Sequence, residues 1–322
     1  MNHASLLVCA AIALATAGSV QAADAYPSKP IQLVIPFPPG GATDVVGRLI
    51  GRALGDRLGQ PVTADNRAGA GTIIGAGHVA KAAPDGYTLL ISSGTTFTIN
   101  PAIQPKLPYD PVKSFEPIGM IGRTGLVLLA NKDVPVNTPQ EFVTLAQAAP
   151  GKYSYASFGT GTTSQFAAEL VLQATGTQLV HIPYKGSAPA MTDLIGGQVP
   201  FSVDTVSAAI PQLKTGRIKA IAVTTAKRSA LLPETPTFAE SGFDVDADTW
   251  VAIVAPRGLP SATKARLEKA LAEVVATPQV HEQLVGAGLE PRWLDGAAVG
   301  ALIEKELPLM RAIAQRANIK AE

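Results

Sequence analysis

Short apolar runs alternate along this chain with longer stretches of helical periodicity, and that alternation limits the fold to parallel βαβ units. The first unit shows the logic. The run Ile31-Gln32-Leu33-Val34-Ile35 suits an inner strand, and Pro36, Pro38 and Pro39 end it because proline has no N–H to give to a ladder. Gly40 and Gly41 then allow backbone angles and a close approach that a side chain would forbid. Val45, Val46, Leu49, Ile50, Ala53, Leu54 and Leu58 recur at helical spacing, so a helix is expected to begin near Thr43 or Asp44. Its free N–H groups and positive dipole end would face whatever sits over the glycines, an arrangement suited to an anion.

Read the same way, the chain predicts strands over 31–35, 62–64, 88–91, 117–121, 126–130, 153–156, 180–182, 201–203, 218–223 and 251–255. Helices are expected over 44–58, 74–82, 139–148, 164–174, 189–195, 207–214, 262–276, 279–285 and 297–317. A length of 322 residues suggests two domains, yet no flexible linker separates them. The chain must then cross between lobes through ordered segments. The candidates are 118–130, where two apolar runs are joined by Arg123-Thr124-Gly125, and 250–256. Lobe 1 would comprise 23–124 plus 246–322 and lobe 2 would comprise 125–245, hinged around a cleft.

With 26 basic and 25 acidic residues the net charge is +1, too small to draw nucleic acid or an anionic membrane surface. The first 22 residues carry no Lys, Arg, Asp or Glu, and an apolar core over 6–17 leads to Val20-Gln21-Ala22. This reads as a secretory signal peptide cut after Ala22, since the apolar stretch is shorter than the roughly 20 residues of a spanning helix. The only cysteine, Cys9, lies inside it. The mature chain would have neither disulfides nor thiolate chemistry, as an exported protein stabilised by its core.

A second glycine turn mirrors the first: Ser157-Phe158-Gly159-Thr160-Gly161-Thr162-Thr163 follows a strand and leads into a helix at Ser164. Either turn alone can be an ordinary capped βα connection. Together they suggest an anion site divided between lobes, and neither has the GxxxxGK[ST] pattern of a nucleotide loop. Gly69-Ala70-Gly71-Thr72-Ile73-Ile74-Gly75 has the wrong glycine spacing for a dinucleotide fingerprint and reads as a tight turn with close packing. His78, His181 and His281 are scattered without a metal-binding pattern, and no GxSxG elbow occurs. A hydrolase using Ser157 and His181 stays open, since triads are defined by geometry. Asp204, at the end of a strand, either faces the cleft or belongs to a cap of the following helix, made through Asp204 or Thr205; Asp44 poses the same choice. Lys185 and Arg123 are candidate positive charges for an anion, with solvation the commoner fate of a lysine.

The chain resembles the solute receptors of tripartite tricarboxylate transporters, also called Bug receptors. The residues that carry the resemblance are Val34-Ile35-Pro36-Phe37-Pro38-Pro39-Gly40-Gly41 with Asp44, Asn66-Arg67-Ala68-Gly69-Ala70-Gly71, and Ala83-Pro84-Asp85-Gly86-Tyr87-Thr88-Leu89-Leu90. Further along, Pro150-Gly151-Lys152-Tyr153-Ser154-Tyr155-Ala156-Ser157, Pro183-Tyr184-Lys185-Gly186 and Leu232-Pro233-Glu234-Thr235-Pro236-Thr237 continue it. The resemblance implies an α/β fold of the type II periplasmic binding protein kind, with two Rossmann-like lobes joined by two crossing segments. It also implies a small carboxylate (a di- or tricarboxylate, an acidic amino acid or an aromatic carboxylate) gripped between the glycine loops, partly through waters, and handed to integral-membrane transporter subunits. Carried over residue by residue, the ligand would meet Phe37, Pro39, Gly40, Gly41, Ala42 and Asp44 in one lobe. In the other it would meet Ser157, Gly159, Thr160, Gly161, Thr162 and Asp204. Phe158, Thr160 and Ser202-Val203 depart from the family pattern and bear on which ligand is taken. The expectation is a monomeric periplasmic receptor without catalysis, cofactor or metal; a secreted hydrolase and a sensor for a signalling partner are the alternatives.

Overall fold

The computed structural model describes residues 26–316 together with 319 and 320. The expected signal peptide, with Cys9, lies outside the described residues. The strands are β1 (Ile31–Ile35), β2 (Val62–Asn66), β3 (Thr88–Ser93), β4 (Phe115–Asn131), β5 (Ser154–Ser157), β6 (Val180–Pro183), β7 (Phe201–Thr205), β8 (Ile218–Val223), β9 (Asp248–Pro256) and β10 (Glu290–Asp295). The α-helices are α1 (Ala42–Leu58), α2 (Ile73–Val79), α3 (Asn100–Ile103), α4 (Pro139–Ala148), α5 (Thr163–Thr175), α6 (Ser187–Ile195), α7 (Val206–Leu213), α8 (Ser261–Ala276), α9 (Pro278–Gly286) and α10 (Gly296–Arg316).

Side chains of a strand alternate between its faces, and β1 buries both. Ile31, Leu33 and Ile35 meet Val46, Ile50 and Leu54 of α1 and Leu267 and Leu271 of α8, whereas Val34 packs with Phe97 and Trp250 on the other face. That double burial is why the run is apolar except at Gln32, which is half-buried and donates to Asp65 Oδ2 at 2.8 Å. β1 lies between β2 and β3, parallel to both.

Beyond β3 the pairing departs from the parallel pattern that the alternation predicts. β9 runs antiparallel to β3, and β4 antiparallel to β9. β4 is also one strand of 17 residues where two runs with a break at 123–125 are expected. No break is needed, because Arg123 is clamped by Asp248 through Nε to Oδ2 at 2.7 Å and Nη2 to Oδ1 at 2.6 Å, and Thr124 Oγ1 donates to Gly288 O at 3.1 Å. Its far half, Leu126 to Ala130, pairs with β7, and β5 and β6 continue that half in parallel. β8 pairs with the same stretch. Here too the faces separate: Leu126, Leu128 and Ala130 meet Phe142 and Phe201, while Val127 and Leu129 meet Leu194, Val206 and Ala209. Two α/β halves, each covered on both faces, therefore share one long strand.

Two elements are absent from the sequence expectation. β10 pairs antiparallel with β4, yet Glu290-Pro291-Arg292-Trp293-Leu294-Asp295 mixes proline and charges and gives no strand signal. After β3, a π-helical turn over Thr95–Ile99 runs into α3. Its β-branched sequence has no helical period; hydroxyls hold it, with Thr96 Oγ1 2.6 Å from Ser92 Oγ and 2.7 Å from Thr72 Oγ1.

Candidate functional site

Four helices begin at the gap between the halves. A cavity there is lined by Gly41, Ala42 and Thr43 of the α1 start, Thr163 of α5, Gly186, Ser187 and Ala188 of α6, and Thr205 and Ser207 of α7. Gly41, Thr162 and Gly186, the N-caps of α1, α5 and α6, make no side-chain cap bond. On α1 the bond from Val45 N to Gly41 O, 3.0 Å, leaves the N–H groups of Ala42 and Thr43 ahead of the first intrahelical turn. Only α7 caps itself here, with Thr205 Oγ1 accepting from Ala208 N at 3.3 Å. On α5 the Thr163 N–H is taken by Thr95 Oγ1 at 3.1 Å, whereas the α1 and α6 starts keep roughly half a positive charge each, an arrangement that suits an anion without a cationic side chain.

No Lys, Arg or His lines it among the described residues. Its walls are Val46, Val251 and Leu289 with Phe37 and Phe158, whose rings meet edge to face at 6.1 Å. The space for water-sized occupants is about 40 Å³, room for roughly three waters. The halves touch around it. A Cβ on Gly71 would stand 2.5 Å from Thr160 O, and one on Gly186 2.9 Å from Pro38 Cδ.

Asp204 is the one titratable residue in the lining. It is wholly buried at the end of β7, with Ser187 Oγ donating to its Oδ2 and Thr205 N to its Oδ1 at 2.7 Å. Burial nonetheless dominates and pushes its pKa up to about 6.

Of the residues expected at the ligand, the structure gathers Phe37, Gly41, Ala42 and Asp204 on this cavity. Pro39 and Gly40 are exposed beside it. Asp44 turns into its own helix and accepts from Gly40 N at 2.9 Å, Arg48 Nε at 3.0 Å and Asn66 Nδ2 at 2.8 Å. Burial opposes its charge, but these donors prevail and hold the carboxyl below the usual range. The second glycine turn spends its polar groups internally: Gly159 N on Ser157 Oγ, Gly161 N on Gln165 Oε1 and Thr162 Oγ1 on Gly159 O. Gly159 and Thr160 line a separate outer groove of about 580 Å³ together with Lys185, and Ser157, Gly161 and Thr162 line neither space. Phe37 and Phe158 border both spaces, so their paired rings partition them.

Ser187, Ser207 and Thr249, for which the sequence gives no expectation, reach the cavity, as do Thr163 of the second glycine turn and the helix cap Thr205. The available signal was hydroxyls at helix starts, as in Gly186-Ser187-Ala188-Pro189. Ser157 Oγ does lie 2.7 Å from His181 Nε2, and that ring stacks on Tyr155 with centroids 4.9 Å apart. Ser157 is 0% exposed and lines neither space. Arg123 faces Asp248 instead of the cavity. Among the described residues there is no group of three or more His, Cys, Asp or Glu placed to hold a metal, and no helix long and apolar enough to cross a membrane.

Residues 46–319 match the model of the tripartite tricarboxylate transporter family receptor. The chain belongs to that family. Protein BugT of Bordetella pertussis is 37% identical over 295 residues, covering 90% of each chain. The family's solved structures share the fold: an R. palustris protein, Rpa4515, with adipate has a TM-score of 0.89 at 33% identity, covering 92% of this chain and 99% of its own. MatC of Rhodopseudomonas palustris, with bound malate, has a TM-score of 0.84 at 30% identity, covering 89% and 99%. The family is one of periplasmic solute-binding receptors, and this chain has its two-lobed α/β fold.

Proposed function

We propose that this protein captures a small carboxylate in the cavity between its halves and delivers it to the membrane subunits of a tripartite tricarboxylate-type transporter. The observation that carries this is the meeting of two uncapped helix starts, Gly41-Ala42 and Gly186-Ser187, on a cavity without cationic side chains among the described residues. Amide dipoles hold an anion while leaving it free to depart, which a carrier needs and an arginine clamp would hinder. The relatives that hold adipate and malate support a carboxylate over a phosphate.

The chain works in the periplasm after cleavage at Ala22, as a monomer and without catalysis. Lobe 1 comprises 23–124 and 246–322 and lobe 2 comprises 125–245; closure on the ligand favours the state the permease recognises. The departures at Phe158 and Thr160 tune which acid is taken, with Phe158 on the cavity wall. Native mass spectrometry of protein purified without refolding tests the reading: a retained small acid, lost on mild unfolding, is expected. Ligand-free protein whose melting temperature does not move with any mono-, di- or tricarboxylate would overturn it.

A further inference from the structure

Several hydroxyls around the cavity are already engaged by the protein. Thr124 Oγ1 donates to Gly288 O, Ser187 Oγ to Asp204, Ser207 Oγ to Thr205 Oγ1 at 2.9 Å, and Thr163 Oγ1 lies 3.4 Å from Thr95 Oγ1. Thr249 differs in being both buried and unpartnered. Its residue is 4% exposed, it lines the cavity, and its Oγ1 has no hydrogen-bond partner. A buried hydroxyl left unsatisfied destabilises the fold, and ordinary packing gives no reason to keep one where valine would fit. Thr249 stands on β9 opposite Thr124 of β4, so two of the strands that join the halves hold the position rigidly.

We infer that Thr249 is a specificity-determining residue whose hydroxyl bonds to a second, uncharged oxygen of the ligand, selecting a carboxylate that carries a hydroxyl or keto group over its deoxy parent. The inference rests on the carboxylate reading above. The helix starts accommodate the carboxylate, whereas the surroundings of Thr249 are hydroxyls and apolar walls with no cation. A neutral oxygen loses little on burial there if it gains one hydrogen bond, and an acid lacking it leaves Thr249 orphaned.

Titration calorimetry of L-malate against succinate and of L-lactate against propionate, on the wild type, Thr249→Val and Thr249→Ser, decides this. The wild type is expected to bind at least one hydroxy acid about tenfold more tightly than its parent. Thr249→Val should erase that preference while the parent's affinity stays within about twofold, and Thr249→Ser should restore it. Without ligand, Thr249→Val should melt at or above the wild-type temperature, because it removes an unsatisfied polar atom. A ligand-free Thr249→Val that is clearly less stable would show a structural hydroxyl and overturn the inference. A hydroxy-acid preference unchanged in Thr249→Val would overturn it while leaving carboxylate capture intact; no heat from any acid in the wild type would remove both.

Discussion

The Ser187 hydroxyl donates to Asp204 Oδ2, tying the start of α6 to a fully buried carboxylate at the end of β7. Together they form the floor of the anion cavity, and an acidic floor has a measurable pH signature. The folded-state pKa of about 6 lies above the ordinary 3.8, so the native state holds the proton more tightly than the unfolded chain. Stability therefore falls as pH rises through the window between 3.8 and about 6, and is fully regained only as pH drops below 3.8. Asp204→Asn should be more stable than wild type at pH 8 by on the order of 2–3 kcal/mol, with roughly a third of the difference left near pH 4.5 and almost none near pH 3. Glu306, also raised by burial, adds a trend of the same sign to both proteins, so the difference between their melting curves isolates Asp204.

Closure is tested at Gly71. It has φ +56°, and a Cβ there would press on the carbonyl of Thr160 across the gap. Gly71→Ala is expected to fold, at a cost of about 1 kcal/mol for the left-handed backbone, but to hold the halves apart. Small-angle scattering with saturating carboxylate should give a larger radius of gyration than for wild type, and calorimetry an affinity at least several-fold weaker. Equal compaction and affinity would place the contact outside the closing motion.

Asp44 has three donors on its carboxylate and no place in the cavity lining. Asp44→Ala is expected to destabilise the protein by roughly 1–2 kcal/mol in urea, through loss of the bonds that fasten the glycine turn to α1. Its ranking of different carboxylates by calorimetry should match the wild type. A changed ranking would assign Asp44 a direct role in recognition.

Local pattern makes most elements legible: β1 and β8 are short, mostly apolar and mostly buried runs, and α4 buries Pro139, Phe142 and Ala146 at helical spacing. Local pattern could not show that β4 runs unbroken through Arg123-Thr124-Gly125, since its continuity depends on Asp248 and Gly288, more than a hundred residues away. The same limit applies to the site. Gly41 and Ala42 were visible as a turn before a helix. Ser187 carries only the weak signal of a hydroxyl at a helix start, and Thr249 becomes visible only when folding brings the starts of α1 and α6 and the strand β9 to one cavity. The hydrogen bonds that engage the polar groups of Gly159, Gly161 and Thr162 within their own turn are likewise side-chain geometry that glycine spacing does not encode.

In the proposed function, helix ends and no cationic side chain hold the carboxylate. Calorimetric titration of the mature protein with acids and their matched primary amides tests it most directly, because the pair keeps shape and changes charge. A dissociation constant in the micromolar range or tighter for at least one acid is expected, with its amide at least a hundredfold weaker. An amide that binds as well as its acid, or no acid that binds at all, would contradict it.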